Sequence, residues 1–148
     1  MRQIPDMITS SARPASSAIL ERDGRFLLIR RINPPSADLF AFPGGRGEQG
    51  ETPAQTAVRE FLEETGIAVT DPQLFATYDL KSEDTAGNLL SHFFLSVFLV
   101  KADGTAEAIA ADDAADPGWY TLDEISRLPV PPSVLECAEK LAARRATR

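Results

Sequence analysis

The run Gly45-Arg46-Gly47-Glu48-Gln49-Gly50-Glu51, followed after seven residues by Arg59-Glu60-Phe61-Leu62-Glu63-Glu64-Thr65-Gly66-Ile67, decides how the rest of the chain is read. It sets three carboxylates, Glu60, Glu63 and Glu64, within five positions behind a glycine-rich loop. Thr52 as N-cap, Pro53 at the first helical position and Gln55 completing a capping box predict that a helix opens between the two halves. At about 100° per residue, Ala54, Ala57, Val58, Phe61 and Leu62 make one apolar face and the three glutamates lie opposite. Gly66 stands where a left-handed C-terminal cap favours glycine. Helix positions three and four apart are neighbours at about 5–6 Å. Like charges that close repel by about 3 kcal/mol per pair at an effective dielectric near 20. A divalent cation removes that penalty, so the cluster is read as a metal site. Hard oxygen ligands select Mg²⁺ or Mn²⁺, cations that share their shell between carboxylates, waters and phosphates.

The same run resembles the signature of the Nudix hydrolases. Gly45, Glu51, Arg59, Glu60, Phe61, Glu63, Glu64, Gly66 and Ile67 fill every specified place. Such a match arises by chance at on the order of 10⁻⁸ per chain of average composition. The resemblance implies an α/β fold, the Nudix-type α/β/α sandwich with a mixed β-sheet. It also implies hydrolysis of a nucleoside diphosphate linked to a further moiety, cleaved at the pyrophosphate bond. By the family pattern Glu63 and Glu64 are the principal metal ligands, and Glu60 is a further ligand or the carboxylate that orients water. Gly44 or Gly45 contributes a backbone carbonyl, and Arg59 pairs with Glu51 or Glu63 and orients them.

Outward from this run, 148 residues suit a single domain, expected over 15–148 behind a flexible arm at 1–14. Asp23-Gly24 predicts a hairpin between strands at 17–22 and 25–31. Strands are expected at 73–80 and 89–101 around a turn at 84–88. The stretch from Phe93 to Val100 is apolar enough to be buried on both faces. Residues 105–116 are expected as a loop, and Gly118-Trp119-Tyr120 as a last short strand. Capping boxes at Thr121–Glu124 and Ser133–Glu136 open two more helices, the second with Val134, Leu135, Ala138, Leu141 and Ala142 on its apolar stripe.

Net charge is −7, which disfavours nucleic acid as a partner. A phosphorylated small molecule remains compatible, because a bound cation reverses the local sign. No apolar run is long enough for a membrane span. The lone cysteine, Cys137, excludes an internal disulfide and fits the cytoplasm. Homodimers are common in the resembling family, though no segment identifies an interface.

Candidate substrate contacts lie outside the signature. Arg30 and Arg31 end a strand and suit phosphates. Phe40 and Phe42 flank the entry to Pro43-Gly44-Gly45, where one ring can stack on a base. Asp112 and Asp113 stand where related enzymes place an extra acidic group, a ligand or general base. For each the alternative is structural: strand-end charge, core packing or a solvated loop. His92 is expected to be structural, and Cys137 has no assigned role.

The stretch from Ala18 to Gly45 and that around Trp119 are most similar to ADP-ribose pyrophosphatase-like members. Position 82 is serine where many ADP-ribose hydrolases carry proline, and position 84 is Asp where the diadenosine polyphosphate group often has tyrosine. A MutT-like nucleoside triphosphate pyrophosphohydrolase is therefore the alternative. A non-catalytic nucleotide sensor is a reading of another class, but sensors commonly lose these carboxylates and this chain keeps them.

Overall fold

Residues 12–32, 37–110 and 114–146 are described by a computed structural model. Asp23 and Gly24 both adopt positive φ, 55° and 78°, as a tight two-residue turn requires. They join β2 (Glu21–Arg22) to β3 (Arg25–Arg31), and β1 (Arg13–Ile19) leads into them. β1 starts earlier than expected, because Arg13 and Pro14 pair with Phe93 and Phe94 of β7 (Leu89–Lys101). Most of the segment expected as an arm, residues 1–11, lies outside the described residues.

The pairing of β1 with β7 is parallel; β5 (Gly44–Arg46) and β6 (Thr70–Glu83) add antiparallel neighbours, in the order β5-β1-β7-β6. In a second sheet β3 pairs antiparallel with β2, β4 (Phe40–Ala41) and β8 (Ala114–Tyr120). β8 claims part of the stretch expected as loop, drawn into order by its ladder with β3. The expected strand at 73–80 grows to Thr70–Glu83 for the same reason, since β7 pairs with it throughout.

Alternation along the strands feeds two apolar cores. Ile19, Phe26, Leu28 and Val97 point to one, where α3 (Pro132–Ala146) inserts Val134, Cys137, Ala138 and Leu141 and α2 (Leu122–Ile125) adds Ile125. Ala18, Leu27, Phe98 and Val100 point to the other, where α1 (Pro53–Thr65) inserts Ala57 and Phe61. Helices thus cover both faces of a mixed strand layer, which is the expected α/β/α sandwich.

Three local expectations fail, the first being that 93–100 is buried on both faces, since Phe94 is 45% exposed. Leu62 is 48% exposed, because the buried stripe of α1 runs through Thr56, Ala57, Phe61, Glu64 and Thr65 instead. Ser133 does not cap α3, which already begins at Pro132. Proline preset for the first helical turn wins there over the serine that follows it. Within the described residues no helix is long and apolar enough to cross a membrane.

Candidate active site

The glycine loop is fastened to the middle of the sheet before it reaches the helix. Ala18 N–H donates to the Pro43 carbonyl at 3.0 Å, Gly44 and Gly45 pair with Ser17 and Ser16, and Gly47 N–H donates to the Pro14 carbonyl at 3.0 Å. A β-carbon at Gly44 would lie 2.3 Å from the Ser16 carbonyl oxygen, so only glycine lets β5 approach β1 this closely. The capping box of α1 forms as expected: Gln55 N–H donates to Thr52 Oγ1 at 3.1 Å, and Thr52 N–H to Gln55 Oε1 at 2.9 Å. Gly66 closes the helix at φ 77°, its N–H donating to the Leu62 carbonyl.

These anchors set α1 beside β5 and give the three glutamates different surroundings. Glu64, 4% exposed, lies within the buried stripe and accepts the Gly44 N–H at 3.0 Å. Glu60 is half-buried against Gly45, and burial pushes its carboxyl above the ordinary carboxylate value against the pull of Arg59. Glu63 is the most exposed of the three.

Arg59 stands among them as a hub. Its Nε donates to Glu51 at 2.5 Å, Nη1 to Glu60 and Glu63 at 3.1 Å each, and Nη2 to Glu51 and the Arg46 carbonyl at 3.0 Å each. Glu51 also accepts the Glu48 N–H and the Thr56 hydroxyl, both at 2.8 Å. The guanidinium, the Glu48 N–H and the hydroxyl together hold the Glu51 carboxyl down at about 2. Glu51 raises the Arg59 guanidinium in turn, so that group stays cationic at any working pH.

Among the described residues no three carboxylate, imidazole or thiol groups converge into a ready-made cage. The donor set still suits a hard cation. Glu60 and Glu64 reach the loop carrying the Gly44 and Gly45 carbonyls, and Glu63 is one helical turn from Glu60. Magnesium typically takes one or two carboxylates and completes its shell with water and phosphate oxygens.

A cavity of about 560 Å³ opens beside this cluster, a size common for small-molecule sites. Of the candidates read from the sequence, Arg31, Phe42, Gly44, Gly45, Glu60 and Glu64 line it. Arg30 does not, being taken up by Asp38 at 2.9 Å and Asp116 at 2.7 Å. Nor does Phe40, whose ring packs edge-on against Tyr120 at 5.8 Å. Arg59, Glu51 and Glu63 are not among its lining residues and form the adjoining ion-pair cluster. Asp112 and Asp113 lie outside the described residues.

The far wall was missed in the sequence: Leu80, Phe93, Leu95, Val97 and Val134, with Arg46 at the near end. The Arg46 guanidinium lies over the Phe93 ring at 5.7 Å, so one cation and one aromatic face meet in the lining. The alternation Phe93, Leu95, Val97 was visible along β7. That it faces the glutamates follows only from the β1–β7 register. His92 is structural as expected in one respect, sitting 2.5 Å from Asp79 across the hairpin.

Known proteins bear on this arrangement. A profile of the NUDIX domain matches residues 11–141. The ADP-ribose pyrophosphatase of Methanocaldococcus jannaschii is 36% identical over 114 residues, which is 77% of this chain and 64% of that protein. The chain therefore spans slightly less than two thirds of that relative. The CTP pyrophosphohydrolase of Escherichia coli is 30% identical over 89% of this chain and 93% of its own length. A crystal structure of a MutT NUDIX hydrolase from Burkholderia pseudomallei superposes with a TM-score of 0.75 at 29% identity, covering 88% of this chain and 98% of that one. With the signature complete, two of its glutamates lining a cavity and the profile spanning residues 11–141, the chain belongs to the Nudix family.

Proposed function

We propose that this protein is a Mg²⁺-dependent hydrolase that cleaves the pyrophosphate bond of a nucleoside diphosphate linked to a further group, with ADP-ribose as the leading substrate. The observation that carries this is the mixed lining of the cavity. Glu60, Glu64 and the Gly44-Gly45 backbone line it together with Leu80, Phe93 and Leu95, and the strands that carry Gly44 and Leu80, β5 and β6, are the two outer strands of the sheet. A nucleotide has the matching polarity, a phosphate chain joined to a flat base with apolar faces.

Glu60, Glu63 and Glu64, with a backbone carbonyl of Gly44 or Gly45, would hold the cation, Mn²⁺ substituting for Mg²⁺. When bound, it polarises the scissile P–O bond and makes the attacking water more acidic. Arg59 positions Glu60 and Glu63 and is itself fixed by Glu51. Glu60 is either a further ligand or the carboxylate that orients the attacking water. Arg31 and Arg46 are the cavity's cations and contact phosphate oxygens. Phe93 is its aromatic wall, Phe42 being 4% exposed and packed in the core, and Asp112 and Asp113 remain candidates for an added acidic group. The reading extends to a cytoplasmic protein with no nucleic-acid or membrane partner, and to a homodimer.

ADP-ribose is favoured by the name of the Methanocaldococcus relative at 36% identity. Triphosphate pyrophosphohydrolysis is the second reading, favoured by the CTP enzyme whose length this chain covers at 93%. The sensor reading gains no support, since relatives are named as hydrolases and every signature carboxylate is kept.

The test is product release with Mg²⁺ from ADP-ribose, NADH, a dinucleoside polyphosphate, CTP, dGTP and oxidised dGTP, beside Glu64→Gln. AMP from ADP-ribose, lost in the variant, is the expected result. Pyrophosphate from a triphosphate alone would replace it with the second reading, and no turnover on any of them would overturn both.

A further inference from the structure

The last strand of the first sheet, β6, is a free edge; among the described residues its only ladder partner is β7. Among the described residues β1 joins β7 only from Phe93 onward, so there 81–91 form an arm two strands wide. Residues 81–90 are all exposed. A two-stranded hairpin alone is marginal in water, yet this one is firmly closed. The Asp84 carboxylate accepts the N–H groups of Ala86 and Asn88 at 2.9 Å each and the Asn88 side-chain amide at 3.1 Å. Five of the eight large apolar side chains exposed among the described residues lie on β6 and β7: Leu74, Leu80, Leu89, Leu90 and Phe94.

Edge strands are ordinarily protected by bulges, proline or inward charge. β6 has register breaks before Gln73, before Ala76 and after Ser82, but from Ala76 to Ser82 its ladder is unbroken. That regular stretch is a template for another strand. We infer that it pairs antiparallel with β6 of a second copy of this chain, about a twofold axis passing at Leu80. The inference rests on the homodimer reading above and names its surface.

Charge fixes the register. A twofold axis at Asp79 would oppose two carboxylates, and like charges directly opposite destabilise a pair. One residue further on, Asp79 of each copy meets Lys81 of the other, two complementary pairs made by a single isologous contact. Asp79 keeps an oxygen for this, since His92 occupies only Oδ1. An axis at Ser82 would also match Lys81 with Glu83, but it shortens the overlap and puts serine, not leucine, at the centre. With the axis at Leu80, the two leucines cover each other on the opposite face, the one that lines the cavity. The second copy's Leu80 then lies beside the apolar lining of each site, so the contact is continuous with the substrate wall.

Sedimentation of the wild type at 10–100 µM tests the state, and Leu80→Cys tests the register. The expected mass is twice 16.0 kDa. Mild oxidation should cross-link Leu80→Cys across the axis and leave Leu74→Cys uncross-linked, because positions 74 of the two strands would lie about 40 Å apart. Wild type serves as blank, its one cysteine being buried. Lys81→Asp should give a monomer, and adding Asp79→Lys should restore the dimer. A monomeric wild type would overturn this inference together with the homodimer reading. A dimer that survives Lys81→Asp, or cross-links equally at 74 and 80, would overturn the surface alone. Neither outcome touches the hydrolase assignment, which the product panel decides.

Discussion

A β-carbon at Gly45 would lie 2.4 Å from the carboxyl carbon of Glu60, so the absence of a side chain at one residue sets where the carboxylate of the other can lie. Gly44 is equally crowded, but its neighbours are the Ser16 carbonyl and the Ser17 α-carbon. The difference predicts opposite phenotypes. In Gly45→Ala the end of a flexible side chain gives way: Tm should move little while kcat falls on the order of a hundredfold. In Gly44→Ala the clash is with a central strand, which overpacking makes costly by about 1–3 kcal/mol or more. Melting curves and initial rates on both variants check this; an inactive but equally stable Gly44→Ala would contradict it.

The Glu51–Arg59 pair should be visible as acid sensitivity. The Glu51 carboxyl is held down at about 2 in the folded protein. A depressed carboxyl contributes stability that is complete above its unfolded value, roughly 4.3, and is lost as pH falls toward 2. Denaturant unfolding of metal-free protein at pH 6, 4.5 and 3 should therefore show a steeper decline for wild type than for Glu51→Gln. Parallel declines would mean the pair does not couple to folding.

Arg22 fastens the segment after β7. Its guanidinium stacks on Trp119 at 4.4 Å and donates to the carbonyls of Ala106 at 2.9 Å and Asp103 at 3.1 Å. Further along, Ile109 N–H donates to the Thr65 carbonyl at 2.9 Å, at the end of the helix that bears Glu64. Arg22→Ala should cost about 2 kcal/mol, from a lost cation–π contact and two charge-assisted hydrogen bonds. Hydrogen exchange should quicken in 103–109 first; unchanged exchange there would remove the anchoring role.

Cys137 is fully buried, and burial raises its thiol above the ordinary value. The thiol is 3.4 Å from the Tyr78 hydroxyl, which also donates to Glu136 at 2.6 Å. A thiol reagent at pH 8 should leave the native protein unlabelled for hours and label it at once in denaturant. Rapid native labelling would show that α3 opens locally.

What the sequence disclosed was chemistry confined to neighbours along the chain. Thr52 and Gln55 cap α1, Asp23-Gly24 turns the hairpin, and Asp84 closes the next, because each interaction spans only a few residues. What escaped depends on partners far apart. Arg30 looked free until β8 brought Asp116 to it, and Phe40 until the same strand brought Tyr120. Glu64 was placed opposite the apolar face of α1, yet the buried stripe passes through it while Leu62 faces water. The cavity's apolar wall needed the parallel register that sets Ala15 beside Leu95, which no local pattern encodes.

The guanidinium at the centre of the glutamates has one more implication. Since Arg59 already pairs with Glu51, Glu60 and Glu63, one guanidinium offsets part of their mutual repulsion, and the fold need not wait for a divalent cation. Metal scarcity would then idle this protein without exposing it to degradation. A chelated sample should keep its melting transition and regain full turnover on addition of Mg²⁺, as an apparatus left assembled between uses.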